Sequence, residues 1–133
     1  MEQVTVHAEA EINPTEDEEK VKAAVCNMLG NPSVTIASEG KGSVLTAEAS
    51  GQDSLFKFRN LLRNDRIRDA ARKALFHSMR GNTISFCLNK QVAYAGHISF
   101  SEETAESPLG PIRVTITSDN PRHLIEWLAE KTA

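Results

Sequence analysis

Basic side chains crowd one stretch of this sequence. Arg59, Arg63 and Arg66 recur at i, i+4 and i+7, which puts them on one stripe if a single helix runs through Asn64. Arg68, Arg72, Lys73 and Arg80 carry the basic region into the segment that follows. Such an array suits phosphate, because guanidinium and ammonium groups displace the counterions condensed on a polyanion and one guanidinium can bond two phosphate oxygens. Residues 57–80 hold eight basic and two acidic side chains, whereas residues 1–56 hold three and ten, and residues 81–133 four and six. An excess of six positive charges therefore sits inside a 133-residue chain of formal net charge −3. Local charge of this kind can steer a polyanion against an unfavourable total. The competing use of the same groups is ion pairing: Asp69 is in helical reach of Arg66, Arg72 and Lys73, and the first helix is acidic.

Other chemistries find less support. Lys90 and Gln91 fall at an expected strand-to-strand turn, where Lys90 would meet a phosphate and Gln91 a base edge, or where both simply close the hairpin. His7, His77, His97 and His123 are scattered, and Cys26 and Cys87 match no metal or disulfide spacing, so neither metal nor cofactor is expected. Gly40-Lys41-Gly42-Ser43 lacks the phosphate-loop spacing and leads into a strand rather than a helix. No G-x-S-x-G elbow occurs, and no set of catalytic residues emerges. Uninterrupted apolar runs, such as residues 23–26, stay far below a bilayer span of ~20 residues. The acidic start is not a signal peptide, and a reduced, cytoplasmic, non-enzymatic protein is expected.

The elements that must position these residues follow from periodicity. Val4, Val6, Ala8, Ala10 and Ile12 alternate with polar residues, as in a strand with one buried face. Thr15 and Glu18 fit a capping box for a helix carrying Val21, Ala24, Val25, Met28 and Leu29 and ending at Gly30. Strands at 33–39 and 43–49 flank a glycine turn. Asp53 is placed to cap a helix bearing Leu55, Phe58, Leu61 and Leu62, and after a break near Asn64-Asp65 a second helix buries Ile67, Ala70, Ala71, Ala74, Leu75 and Met79. Strands are expected at 82–88 and 91–100, then a polar loop at 101–107, a strand around Ile112, Val114 and Ile116, and a helix capped by Asn120 with Pro121 at its first position. The sum is one α+β domain over residues 1–133, ordered βαββααβββα, with a mixed or antiparallel curved sheet and helices on one face. The other sheet face would carry Thr5, His7, Glu9, Thr83, Ser85, Arg113, Thr115 and Thr117, where His7 and Arg113 could meet. Phe58, Phe86, Phe100 and Trp127 share phase with apolar neighbours and read as core, so any RNA would be held by its backbone and shape more than by its bases.

Three strings carry a resemblance: Leu62-Arg63-Asn64-Asp65-Arg66-Ile67-Arg68-Asp69-Ala70-Ala71-Arg72; Asn89-Lys90-Gln91-Val92-Ala93 with Gly96 and Phe100; and Ser107-Pro108-Leu109-Gly110-Pro111-Ile112. Together, over nearly the whole chain, they resemble an archaeal family of uncharacterised proteins associated with RNA binding. The resemblance implies a fold similar to the large-subunit ribosomal protein L-five family, and some relatives are joined to a nucleotide-kinase-like domain. It brings no catalytic residue. The chain departs from the family pattern at Asp65 and Ile67-Arg68, where Gln and Ile-Leu are expected. The expected role is a non-catalytic RNA-binding or ribonucleoprotein-associated module using Arg59, Arg63, Arg66, Arg68, Arg72, Lys73, Arg80, Lys90 and Gln91. The alternative is a protein-interaction or homodimerisation module, with a kinase-like protein as one conceivable partner.

Overall fold

A computed structural model describes residues 3–101 and 110–131. β1 (Val4–Ile12) is the centre of an antiparallel sheet, with β3 (Gly42–Ser50) on one side and β7 (Pro111–Ser118) on the other. β2 (Ser33–Glu39) pairs with β3 at one edge, and β5 (Thr83–Asn89) pairs with β7 towards the other. The short β4 (Met79–Arg80) and β6 (Phe100–Ser101) lie against the far side of β5.

Register turns the alternating sequence into rows that cross the sheet. Leu45, Ala10, Ile112 and Leu88 align on one face, and Ala47, Ala8, Val114 and Phe86 form the next row. Helices cover this face: α1 (Glu18–Cys26) lies against β1 and β3, α3 (Arg68–His77) against β5, and α5 (Pro121–Leu128) against β7. α2 (Phe56–Asn64), entered through a 3-10 turn at Gln52–Leu55, adds Phe58 and Leu62 to the same core. Removal of such fully buried side chains costs about 2–5 kcal/mol each. The opposite face carries Thr5, His7, Glu9, Thr83, Ser85, Arg113, Thr115 and Thr117, each half-buried or exposed, as the alternation implies.

Several boundaries differ from expectation. The strand expected at 91–100 is instead α4 (Lys90–Tyr94) followed by the two-residue β6. The Asn89 side chain accepts a hydrogen bond from the Val92 amide at 3.0 Å and so caps a helix, while Gly96, at φ +86°, ends it in a conformation that favours glycine. α1 is capped by Asp17 rather than by Thr15, stops at Cys26, and has Asn31, not Gly30, in the left-handed region. Gly51, not Asp53, precedes the turn that leads into α2. Ala70 is exposed rather than inward, and Met79 belongs to β4. Residues 102–107 of the expected loop and 107–109 of the Ser107–Ile112 string fall outside the described residues.

Candidate nucleic-acid interface

α2 and α3 are separate helices. Asp65 ends the first, and its carboxylate accepts the Ile98 amide at 2.9 Å while the other oxygen meets His97 Nδ1 at 2.9 Å. Burial would raise the Asp65 pKa, but these two hydrogen bonds outweigh it and hold the group below the usual carboxylate range. Arg66 then adopts φ +57° and turns the chain into α3. The three-arginine stripe, which required one helix through Asn64, therefore does not form, and the expected break is where the chain turns: Arg59 and Arg63 remain together on α2, and Arg66 leaves them.

α5 fits against both helices and supplies the carboxylates. Glu130, just beyond its end, takes Nη2 of both Arg59 and Arg63, the latter at 3.3 Å. Arg59 also donates Nε to the Trp127 carbonyl at 2.9 Å, and its guanidinium lies 5.0 Å from the Trp127 ring centroid. One turn back, Glu126 receives both terminal nitrogens of Arg72 at 2.6 Å each, the two-pronged arrangement a guanidinium favours. The Arg72 hydrogen bonds draw the Glu126 pKa down, and those of Arg59, with Arg63 close by, do the same for Glu130. Phe76 sits under two guanidinium groups, Arg72 at 5.0 Å and Arg122 at 5.7 Å.

These pairs do not discharge the layer. Residues 57–80 and 122–131 together hold ten basic and four acidic side chains, since Arg122 and Lys131 balance Glu126 and Glu130. The excess of six persists, and the rest of the chain holds five basic against fourteen acidic groups. Arg66 and Lys73 are exposed and Arg68 half-buried, and no ion pair engages any of the three among the described residues. Among the described residues Arg80 bonds only to the carbonyls of His77 and Met79, which do not neutralise its charge.

Lys90 requires a correction. It does not project from a turn: the side chain is 4% exposed, and Nζ donates to the Glu11 carbonyl at 2.6 Å and to Glu16 at 2.9 and 3.1 Å. Burial tends to raise the Glu16 pKa, but hydrogen bonds from Asn13 and Lys90 prevail and lower it. Lys90 thus ties the end of β1 and the approach to α1 onto α4, whereas Gln91 beside it is exposed. His7 pairs with Glu48 at 3.3 Å rather than with Arg113, which stands opposite Glu9 in register.

The aromatic side chains divide into two groups. Phe58, buried as expected, stacks on Phe86 with centroids 5.6 Å apart, and Phe86 meets Phe100, tilted, at 5.7 Å; Phe86 and Phe100 are half-buried and pack against the core. Trp127 is only half-buried and packs 5.5 Å from Phe56, which is 53% exposed. Phe56 escaped the sequence reading, although the signal was present. It lies two residues from the buried Phe58, which in a helix turns it about 160° away. Glu126 and Glu130, spaced i, i+4, were likewise legible as one acidic stripe but not as partners of residues more than fifty positions earlier.

Among the described residues no group of three or more His, Cys, Asp or Glu side chains is arranged to hold a metal ion, and no helix is long and apolar enough to cross a membrane. Cys26 and Cys87 form no disulfide.

Comparison with known proteins agrees with this architecture. A family model described as RNA binding matches residues 5–118. A UPF0201 protein of Sulfurisphaera tokodaii is 47% identical over 125 residues, covering 94% of this chain and 86% of that protein. A UPF0201 protein of Saccharolobus solfataricus is 43% identical over 130 residues, covering 98% and 90%. The crystal structure of a UPF0201 protein from Methanococcus jannaschii superposes with a TM-score of 0.85 at 32% identity, over 97% of this chain and 95% of that one. The expected likeness to ribosomal protein L-five is not among what these comparisons support.

Proposed function

This chain belongs to the UPF0201 family, and from that premise we propose that it binds RNA, without catalysis, through the cationic layer formed by α2, α3 and α5. The observation that carries this reading is the excess of six positive charges on one helical layer of a chain that is acidic elsewhere. Arg66, Arg68 and Lys73, which make no ion pair among the described residues, make the first phosphate contacts. Arg59, Arg63, Arg72 and Arg80, held by carboxylates or carbonyls, add field and a fixed geometry. Arg66 strengthens the case, because a non-glycine residue in the left-handed region costs roughly 1 kcal/mol and here the position keeps a charged side chain in solvent. The polar sheet face is the poorer surface for a polyanion: Glu9, Glu11 and Glu48 outnumber Arg113 there. In this role the protein works among cellular RNA in the cytoplasm.

Fluorescence anisotropy with a labelled single-stranded RNA tests the reading. If about four phosphates are neutralised, log affinity falls with log salt at a slope near −3, and reversal of Arg66, Arg68 and Lys73 to Glu flattens that slope by about 2. Glu9→Gln with Glu48→Gln on the sheet face leaves affinity within about twofold. Equal affinity for wild type and the triple variant contradicts the proposal.

A second reading, self-association, has one observation in its favour. Among the described residues β2 pairs only with β3, so its other side offers backbone groups to a second strand. Light scattering across a concentration series decides whether a dimer forms, and Ile36→Pro would then abolish it.

A further inference from the structure

Resting on the RNA reading above, we propose that Phe56 and Trp127 form a seat for an unpaired base, so that the RNA taken by this layer is single-stranded. Phe56 opens α2 with 53% of its surface exposed, although its neighbours Leu55 and Phe58 are buried. It packs on Trp127 at a centroid distance of 5.5 Å, with the rings tilted by 52°, which leaves much of its surface to solvent. Trp127 is covered in turn by the Arg59 guanidinium, which the Trp127 carbonyl and Glu130 hold in place. Phenylalanine, tryptophan and a fixed guanidinium are the planar groups on which unstacked bases lie, and every base has a face to offer them. Bases inside a duplex are already stacked and cannot reach such a seat.

Charge selects this ring over the other exposed aromatic residue. Tyr94 is 48% exposed, with Lys20 at 5.9 Å from its ring, but it borders a cleft whose lining includes Glu16 and Asp17, and Glu18 and Glu19 follow in sequence. A nucleotide there would bring its phosphate towards carboxylates. Around Phe56 the chain instead presents Lys57, Arg59 and Arg63 on α2, with Lys131 four residues after Trp127, and the Glu130 carboxylate between them is shared by Arg59 and Arg63. The phosphate can therefore meet cations while its base covers the ring.

Trp127 is the sole tryptophan, so its fluorescence reports directly on the seat. The probes are an eight-nucleotide oligouridylate, an abasic ribose-phosphate oligomer of equal length and an RNA duplex, at one salt concentration. The expected result is quenching by the oligouridylate alone, with Phe56→Ala lowering its affinity about tenfold, Phe56→Tyr preserving it, and abasic binding equal in all three proteins. If Phe56→Ala binds the oligouridylate as wild type does, or if the abasic oligomer quenches equally, this seat is overturned while RNA binding by the layer stands. Failure of all three probes to bind overturns both. A concentration-dependent sedimentation shift lost in Phe56→Ala would make the ring a contact between copies of the chain, which also contradicts the seat.

Discussion

Lys90 and Arg72 each meet a glutamate through two hydrogen bonds, yet the consequences are opposite. Lys90 and Glu16 are 4% and 10% exposed, and the lysine also holds a main-chain carbonyl. Arg72 and Glu126 are 23% and 45% exposed, on a layer where cations still exceed anions by six. Taking two charges out of water is costly, and the mutual attraction offsets that cost only while both partners are present. At the surface, water screens the pair, so little stability is gained and the surrounding charge stays available. A cation in a family-like string can thus belong to the fold, while a cation already paired with a carboxylate can still belong to an interface.

The largest expected effect breaks the buried pair. Lys90→Met leaves Glu16 uncompensated and should lower unfolding free energy by about 3–5 kcal/mol, read by urea denaturation. Lys90→Met with Glu16→Gln should recover part of that loss. If Lys90→Met melts like wild type, the pair is not structural. The next effect falls on the other region: Arg66→Gly relieves the left-handed backbone and should raise stability slightly, by less than about 1 kcal/mol, while RNA affinity drops severalfold. A stability loss with unchanged affinity would reverse the assignment of that arginine.

Glu126→Gln with Glu130→Gln sharpens the contrast. It frees Arg59, Arg63 and Arg72 and adds two units of positive charge, so RNA affinity should rise and its salt dependence steepen, with only a small fall in Tm. Weaker RNA binding in a folded variant would mean that the carboxylates are needed to aim the arginines. The smallest effect concerns pH. Glu16, Asp65, Glu126 and Glu130 all have folded pKa values below the usual carboxylate range. Their stabilisation is therefore complete above that range and is lost as pH falls through the depressed values. Thermal melts between about pH 7 and pH 3 should show Tm declining only on the acid side, and a Tm that rises on acidification would contradict the sign.

Where one residue's surroundings are local, the sequence was sufficient. Alternation in β1, β5 and β7 gave the buried and open sheet faces, and Asn120-Pro121 marked α5, whose cap accepts the His123 amide at 3.2 Å. α4 was missed because five residues are too few to show a helical period, and Val92 with Tyr94 suits a strand equally well. The break after Asn64 was visible, but not its anchor: Asp65 and Ile98 are far apart in sequence, and the acid proves to hold the connection between α4 and β6. The arginine run was legible as charge and illegible as geometry, since Glu126 and Glu130 reach it only through tertiary packing.

Mapping amide chemical shifts during titration with a short single-stranded RNA tests the central claim most directly, because it reads every element at once. The layer account predicts shifts concentrated in α2, α3 and α5, with Arg66 and the Trp127 indole among the largest. Shifts confined to the strands bearing Glu9, Glu48 and Arg113, or to the α1–α4 corner around Tyr94, would contradict it.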